Sequence, residues 1–159
     1  MLQFVKFKSS LGTIEIIGDQ NGIQSIDINE DQIFRETIIP DILKESVEQI
    51  LDYIEGSRKS FTFLLNLKGT EFQYKVWNIV KTIPYGKTTS YLKIAKDYGN
   101  ANAVRAVAAA IGKNPILIAV PCHRVIGSNG SLVGFSSGIV KKKWLLKKEG
   151  FSLQTEVEF

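Results

Sequence analysis

The chain holds one cysteine, one histidine and one methionine in 159 residues. A single cysteine closes no internal disulfide, which points to a reducing compartment. One Cys and one His fall short of the donors that a structural zinc site of the usual Cys/His kind needs, and no cofactor is expected. Apolar runs are short. The longest, residues 115–121, is far below the roughly 20 residues of a membrane-spanning helix and reads as one buried strand. The first residues carry neither a charged leader nor a cleavage site, so no signal peptide is expected. What is present is ordinary for a globular protein with a core: 44% hydrophobic and 23% charged residues, which excludes collagen-like and disordered classes.

Charge is unevenly placed. Residues 1–69 carry 7 Lys and Arg against 11 Asp and Glu, whereas residues 70–159 carry 13 against 5. An acidic front and a basic back suggest that only the second half faces a polyanion.

The first 66 residues read as a small α/β lobe. Strands are expected at 4–8, 13–18 and 23–28, with Asn21-Gly22 as a hairpin turn between the last two. A loop runs to Pro40. Leu43, Val47, Ile50, Leu51 and Ile54 form the stripe of an amphipathic helix ended by Gly56. Residues 61–65 read as a further strand. Nothing in this lobe gathers polar groups for chemistry, so it reads as scaffold.

A mostly helical domain is expected from residue 67 to 153, followed by a flexible tail at 154–159. Thr70 and Gln73 make a capping box before the stripe Phe72, Val76, Ile79, Val80 and Ile83. Pro84-Tyr85-Gly86 stops that helix. A second helix opens after Thr88-Thr89-Ser90 and spans 91–98, with Gly99 as its C-terminal cap. Asn102 is placed to cap a third helix, 103–111, ended by Gly112. Two short helices joined by a few residues with a Gly form a helix-turn-helix candidate, though many packed helix corners share that spacing. Val104, Val107, Ala108 and Ile111 form the buried face of the third helix. Its outer face offers Asn102, Arg105, Ala106 and Ala109. Arg105 is the one long side chain there, and readers of a specific base sequence need several. Small residues let a backbone approach nucleic acid closely, so this face suits a sequence-tolerant binder; an Ala-rich helix packed in a core is the other reading.

The only Cys and the only His are adjacent, in Pro121-Cys122-His123-Arg124-Val125. A nearby imidazole stabilises a thiolate and accepts its proton, and thiolate is the nucleophilic form. Neighbours on an extended strand point apart, so the two can cooperate only if the chain turns at Pro121.

These residues resemble the O6-alkylguanine-DNA alkyltransferases, also called methylated-DNA–protein-cysteine methyltransferases. The resemblance covers residues 70–150. It rests on Pro121-Cys122-His123-Arg124-Val125-Ile126, Ala103-Val104-Arg105-Ala106-Val107, Gly112-Lys113-Asn114-Pro115, Ile83-Pro84-Tyr85-Gly86 with Ser90-Tyr91, and Trp144-Leu145-Leu146-Lys147-Lys148-Glu149-Gly150. It implies an α/β (α+β) protein, with a small ribonuclease-H-like α/β domain ahead of a helix-turn-helix domain.

It also implies roles. Cys122 takes the alkyl group from guanine O6, and from O4-alkylthymine, irreversibly. His123 accepts the thiol proton through a water and Glu149 orients it. Tyr91 donates to the leaving guanine, and Asn114 braces the turn before the nucleophile. Arg105 fills the gap left by a flipped nucleotide. The carbonyls of Cys122 and Val125 and the amide of Ser136 read the guanine edge, and Phe135, standing where the family has Tyr, walls the pocket. Lys142 matches a family lysine near the pocket, or is one of five lysines on a solvated helix face. Arg124, Ala106 and Asn102 complete the expected substrate- and DNA-binding set. The implied partner is double-stranded DNA, met through the minor groove largely without regard to sequence by a monomer in the cytoplasm, on the nucleoid if the source is prokaryotic.

A thioether on Cys122 offers water no carbonyl to attack, so the reaction is expected to be stoichiometric. Two other classes compete: a non-catalytic helix-turn-helix binder of alkylated bases, and a cysteine hydrolase built on Cys122, His123 and Glu149.

Overall fold

The computed structural model describes residues 1–30 and 38–152. The expected tail at 154–159 and part of the loop before Pro40 lie outside the described residues. The chain forms two compact units. One comprises Met1–Thr70 with Pro115–Ala119; the other comprises Glu71–Asn114 and the chain from Val120 onward.

In the first unit β1 (Gln3–Ser9), β2 (Gly12–Asp19) and β3 (Gly22–Asn29) form an antiparallel sheet in the order β1-β2-β3. Alternation drives it: Ile14 and Ile16 on β2 and Ile26 and Ile28 on β3 are buried and face each other in register. The Asn21-Gly22 turn forms as its sequence dictates. Asp19 Oδ1 accepts the Asn21 amide at 2.8 Å, and Gly22 has φ 126°. A Cβ on Gly22 would lie 2.9 Å from the Leu64 carbonyl, so glycine is required there. Helix α1 (Lys44–Glu55) follows a 3-10 turn, Asp41–Leu43, and buries Val47, Ile50, Tyr53 and Ile54. Gly56 ends it in the left-handed conformation at φ 96°.

Two expected strands are not strands. Residues 61–65 make a single bridge, Leu65 to Ile23, and residues 115–121 make another, Ile116 to Ile26. Short apolar runs record burial but not whether a ladder continues. Here the second run is broken by a γ-turn: the Ala119 amide donates to the Leu117 carbonyl at 2.8 Å, with Ile118 between them at φ 73°. That is a strained conformation for a β-branched residue.

The second unit contains α2 (Glu71–Val80), β4 (Thr89–Ser90), α3 (Tyr91–Tyr98), α4 (Val104–Gly112), β5 (Val125–Ile126) and α5 (Ile139–Lys148). Helices α2, α3 and α4 pack on one another. Trp77 Nε1 donates to the Ala110 carbonyl at 2.8 Å, and Phe72 meets Tyr98 edge-on at 5.0 Å. Ser90 caps α3, its hydroxyl accepting the Lys93 amide at 3.0 Å, and Gly99 ends α3 at φ 107°.

The join to α4 differs from expectation. Asn100, not Asn102, is the capping side chain. It accepts the Asn102 amide at 3.0 Å and starts a 3-10 turn, Ala101–Ala103, which feeds α4. On α4 the fully buried residues are Val107, Ala110 and Ile111, while Val104 and Ala108 are half-buried. The short parallel pair β4–β5 joins Thr89 to Val125 and Ser90 to Ile126. It thereby brings the start of α3 beside the residues that follow Cys122.

Candidate active site

The chain turns sharply at Pro121. Its φ of −81° and ψ of 62°, with the Cys122 amide donating to the Val120 carbonyl at 2.8 Å, make an inverse γ-turn. Cys122–Arg124 then form one turn of 3-10 helix. Side chains that an extended strand would send to opposite faces are thus carried round one turn. Asn114 braces this bend. Its Nδ2 donates to the Val120 carbonyl at 2.8 Å and lies 3.1 Å from Cys122 Sγ.

Cys122 is 5% exposed and His123 fully buried. His123 Nε2 meets Glu149 Oε2 at 2.7 Å. Nε2 is thus committed to the carboxylate. Burial pushes the Cys122 thiol up to about 11, against the opposing pull of the Asn114 hydrogen bond and the Lys142 charge. Burial also holds the imidazole below its usual value, against the raising effect of Glu149. The resting pair is therefore neutral thiol and neutral imidazole.

Glu149 is the hub. Besides His123 it binds Arg124 through two parallel bonds, Nε to Oε1 at 2.8 Å and Nη2 to Oε2 at 3.0 Å. It also accepts the Gly86 amide at 3.0 Å. Arg124 Nη1 donates to the Ile83 carbonyl at 2.6 Å, and its guanidinium lies 5.7 Å from the Tyr85 ring centroid. This corrects the expectation that Arg124 contacts DNA. A guanidinium 7% exposed with all of these internal partners is spent within the protein.

A second cluster surrounds Tyr91. Its hydroxyl donates to the Val133 carbonyl at 2.7 Å. Lys142 is fully buried, which corrects the solvated-face reading. Lys142 Nζ donates to the carbonyls of Val125 at 2.6 Å and Val133 at 2.7 Å, and lies 3.5 Å from Tyr91 Oη. Burial, with the Cys122 charge adding to it, pushes the Tyr91 hydroxyl up to about 12; burial also pulls the Lys142 ammonium down to about 8, opposed by Cys122. The Val125 carbonyl, expected to read the guanine edge, thus already carries a donor. Phe135 is buried and Ser136 exposed on the segment that leads into α5.

Arg105, Ala106 and Asn102 are exposed together on and just before α4, apart from this buried cluster in exposure and in element. Arg105 makes no ion pair with another described residue. Sequence reasoning missed the Val133 and Ile83 carbonyls, because a main-chain acceptor has no letter of its own. The Lys142 burial had a signal: Lys142, Leu145, Leu146 and Glu149 stand at i, i+3, i+4, i+7, the buried stripe of α5 and its cap. Among the described residues no group of three or more His, Cys, Asp or Glu is placed to hold a metal ion, and no helix is long and apolar enough to cross a membrane.

The sequence model of the 6-O-methylguanine DNA methyltransferase DNA binding domain matches residues 71–151, and that of the family's ribonuclease-like domain matches residues 4–67. The chain belongs to the 6-O-methylguanine DNA methyltransferase family. The resemblance read from the motifs of residues 70–150 holds, and the family match extends to residues 4–67 as well. A methylated-DNA–protein-cysteine methyltransferase of Methanosarcina acetivorans is 42% identical over 156 residues, covering 94% of this chain and 99% of the relative. The crystal structure of the Mycobacterium tuberculosis O6-methylguanine methyltransferase superposes with a TM-score of 0.84 at 35% identity over 100% of both chains. A structure of the Mycobacterium tuberculosis OGT in complex with DNA gives 0.83 at 39% identity, over 92% of this chain and 91% of the other. The mixed architecture, a small sheet unit followed by a helical one, is that of these methyltransferases.

Proposed function

We propose that this protein repairs alkylated DNA by direct reversal, transferring the alkyl group of an O6-alkylguanine to Cys122 in one irreversible turnover. The observation that carries the reading is the lone thiol set on the Pro121 turn, with Asn114 on its sulfur and the His123–Glu149 pair adjoining it. His123 takes the thiol proton, and the thiolate attacks the alkyl carbon. Tyr91 protonates the guanine as it departs, neutralising charge on a poor leaving group. Family membership supports DNA as the partner.

A base within a duplex hides O6 from any protein nucleophile, so the nucleotide leaves the stack. Arg105, long, exposed and alone among small residues, fills the vacated space. The proposed binding is by a monomer, through the minor groove and with little regard to sequence; the small-residue face and the basic second half of the chain support the last two. The non-catalytic binder is disfavoured because the nucleophile is present. The hydrolase reading lacks a purpose for the basic half.

Incubation with duplex DNA containing O6-methylguanine, followed by intact-mass and peptide mass spectrometry, tests the proposal. One methyl group per chain, on Cys122, is expected. Cys122→Ala should form no adduct and still bind the DNA, with affinity falling steeply as salt rises. Unlabelled wild-type Cys122, or methyl removal by Cys122→Ala, would overturn it.

A further inference from the structure

We infer that Lys142 is a positioning residue for alkyl transfer: it holds the Val133 carbonyl so that the Tyr91 hydroxyl can leave that carbonyl for the departing base, and it balances the charge left on the Tyr91 oxygen. The inference rests on the function proposed above. It starts from a conflict in the geometry. The Tyr91 hydroxyl, assigned to protonate the leaving base, already donates to the Val133 carbonyl at 2.7 Å. To serve the base it must give up that bond, and a part-buried carbonyl that loses one donor with no other in place is left with an unmade hydrogen bond.

Lys142 resolves the conflict. Its ammonium donates to the same Val133 carbonyl at 2.7 Å, and a carbonyl oxygen accepts two bonds. When Tyr91 turns away, the carbonyl stays bonded. An ammonium has three donors, and all three have an address here: Val125 and Val133 carbonyls, and Tyr91 Oη at 3.5 Å. The segment is held tightly against the phenol. Gly134 has φ 70°, and a Cβ there would sit 3.1 Å from Tyr91 Oη. Packing alone does not call for a charge at this fully buried position, because a neutral side chain of similar length would fill the space without desolvation.

The atoms and electrons balance. The Cys122 thiol proton passes to His123. The sulfur–carbon bond forms as the carbon–O6 bond breaks, and the electron pair of the broken bond moves onto the guanine. The Tyr91 O–H bond breaks as an N–H bond forms on the guanine ring. The phenolate that remains faces the Lys142 ammonium, and the proton held on His123 compensates its charge until both groups re-equilibrate with solvent. The titratable groups facing Lys142 are Tyr91 from α3 and Cys122 and His123 from the 3-10 turn. β5 and the Val133 segment present carbonyls, and Lys141 and Lys143 flank it on α5. Burial pulls the Lys142 ammonium down to about 8, so its charge is lost as pH rises through that value.

The test is single-turnover adduct formation at Cys122 with the free O6-alkylated base, measured from well below to well above pH 8 for wild type, Lys142→Met, Lys142→Arg and Tyr91→Phe. Lys142→Met should be slowed by about tenfold to hundredfold at neutral pH, part of what a positioned proton donor supplies. Lys142→Arg, keeping the charge, should recover part of that loss. Wild-type rates should fall away on the alkaline side, and that fall should be absent from Lys142→Met. It should be absent from Tyr91→Phe too, which forms no phenolate. Should Lys142→Met fail to fold, the Tyr91→Phe profile decides alone. An alkaline fall that persists in Tyr91→Phe, or a Lys142→Met profile like that of wild type, would overturn the inference. Absence of any adduct in wild type would instead sink the function on which it rests.

Discussion

Replacing Arg124 with methionine should cost the second unit several kcal/mol of stability and should leave DNA affinity nearly intact. The Arg124–Glu149 pair is doubly bonded, and the two side chains are 7% and 1% exposed. Removing one partner of a buried pair typically costs about 3–5 kcal/mol, because the other charge stays behind uncompensated. The Ile83 carbonyl also loses its 2.6 Å donor, a loss of about 1–3 kcal/mol taken by itself. His123 and the Gly86 amide still serve Glu149, and the two losses share one side chain. They therefore do not add in full, and the net expectation is about 4–5 kcal/mol. For a chain of this length that lowers Tm by roughly 8–20 °C.

The assay is built into the sequence. Both tryptophans, Trp77 and Trp144, lie in the second unit, so their fluorescence during urea unfolding reports the unit that holds Arg124. The double variant Arg124→Met/Glu149→Gln should lose less than the two singles summed, since either single already breaks the pair. A loss under about 1 kcal/mol, the range of solvated ion pairs, would refute the reasoning. Weakened DNA binding at unchanged stability would return Arg124 to the external role that its sequence neighbourhood suggested.

Arg105→Ala should slow repair of duplex DNA much more than reaction with the free alkylated base, because the free base needs no flipping. Equal losses in single-turnover rates would mark Arg105 as structural. With its thiol pushed up to about 11 from the usual 9, Cys122 should react with iodoacetamide at a rate that keeps rising with pH beyond 9. The folded state also holds that proton more tightly than the unfolded chain. The Cys122 contribution to stability is therefore full below 9 and lost as pH climbs toward 11, and Cys122→Ala should flatten that part of the alkaline decline in urea-unfolding midpoints.

Local chemistry written in the sequence was decisive where one residue governs its own neighbourhood. Asn21-Gly22 demanded a hairpin, Ser90 and Gly99 bounded α3, and the 3.6-residue stripes located α1 and α2. The unique Cys122-His123 pair after Pro121 marked the site, and Arg105 stood out because its face held no other long side chain. The tertiary structure alone decided which partners those residues meet. Residues 115–121 are apolar because most of them are buried, whereas in 61–65 only Phe63 is buried and Leu64 is exposed; an apolar run reads the same whether a ladder continues or a γ-turn at Ile118 ends it. Asn100 rather than Asn102 became the cap because a 3-10 turn intervened before α4, and either asparagine could have served by type. Arg124 read as a DNA contact, and Lys142 as either a lysine near the pocket or one of five on a solvated helix face. They turned inward because Glu149 and the carbonyls of Ile83, Val125 and Val133 converge on them, and a main-chain oxygen leaves no mark in a sequence until the fold brings it within hydrogen-bonding distance.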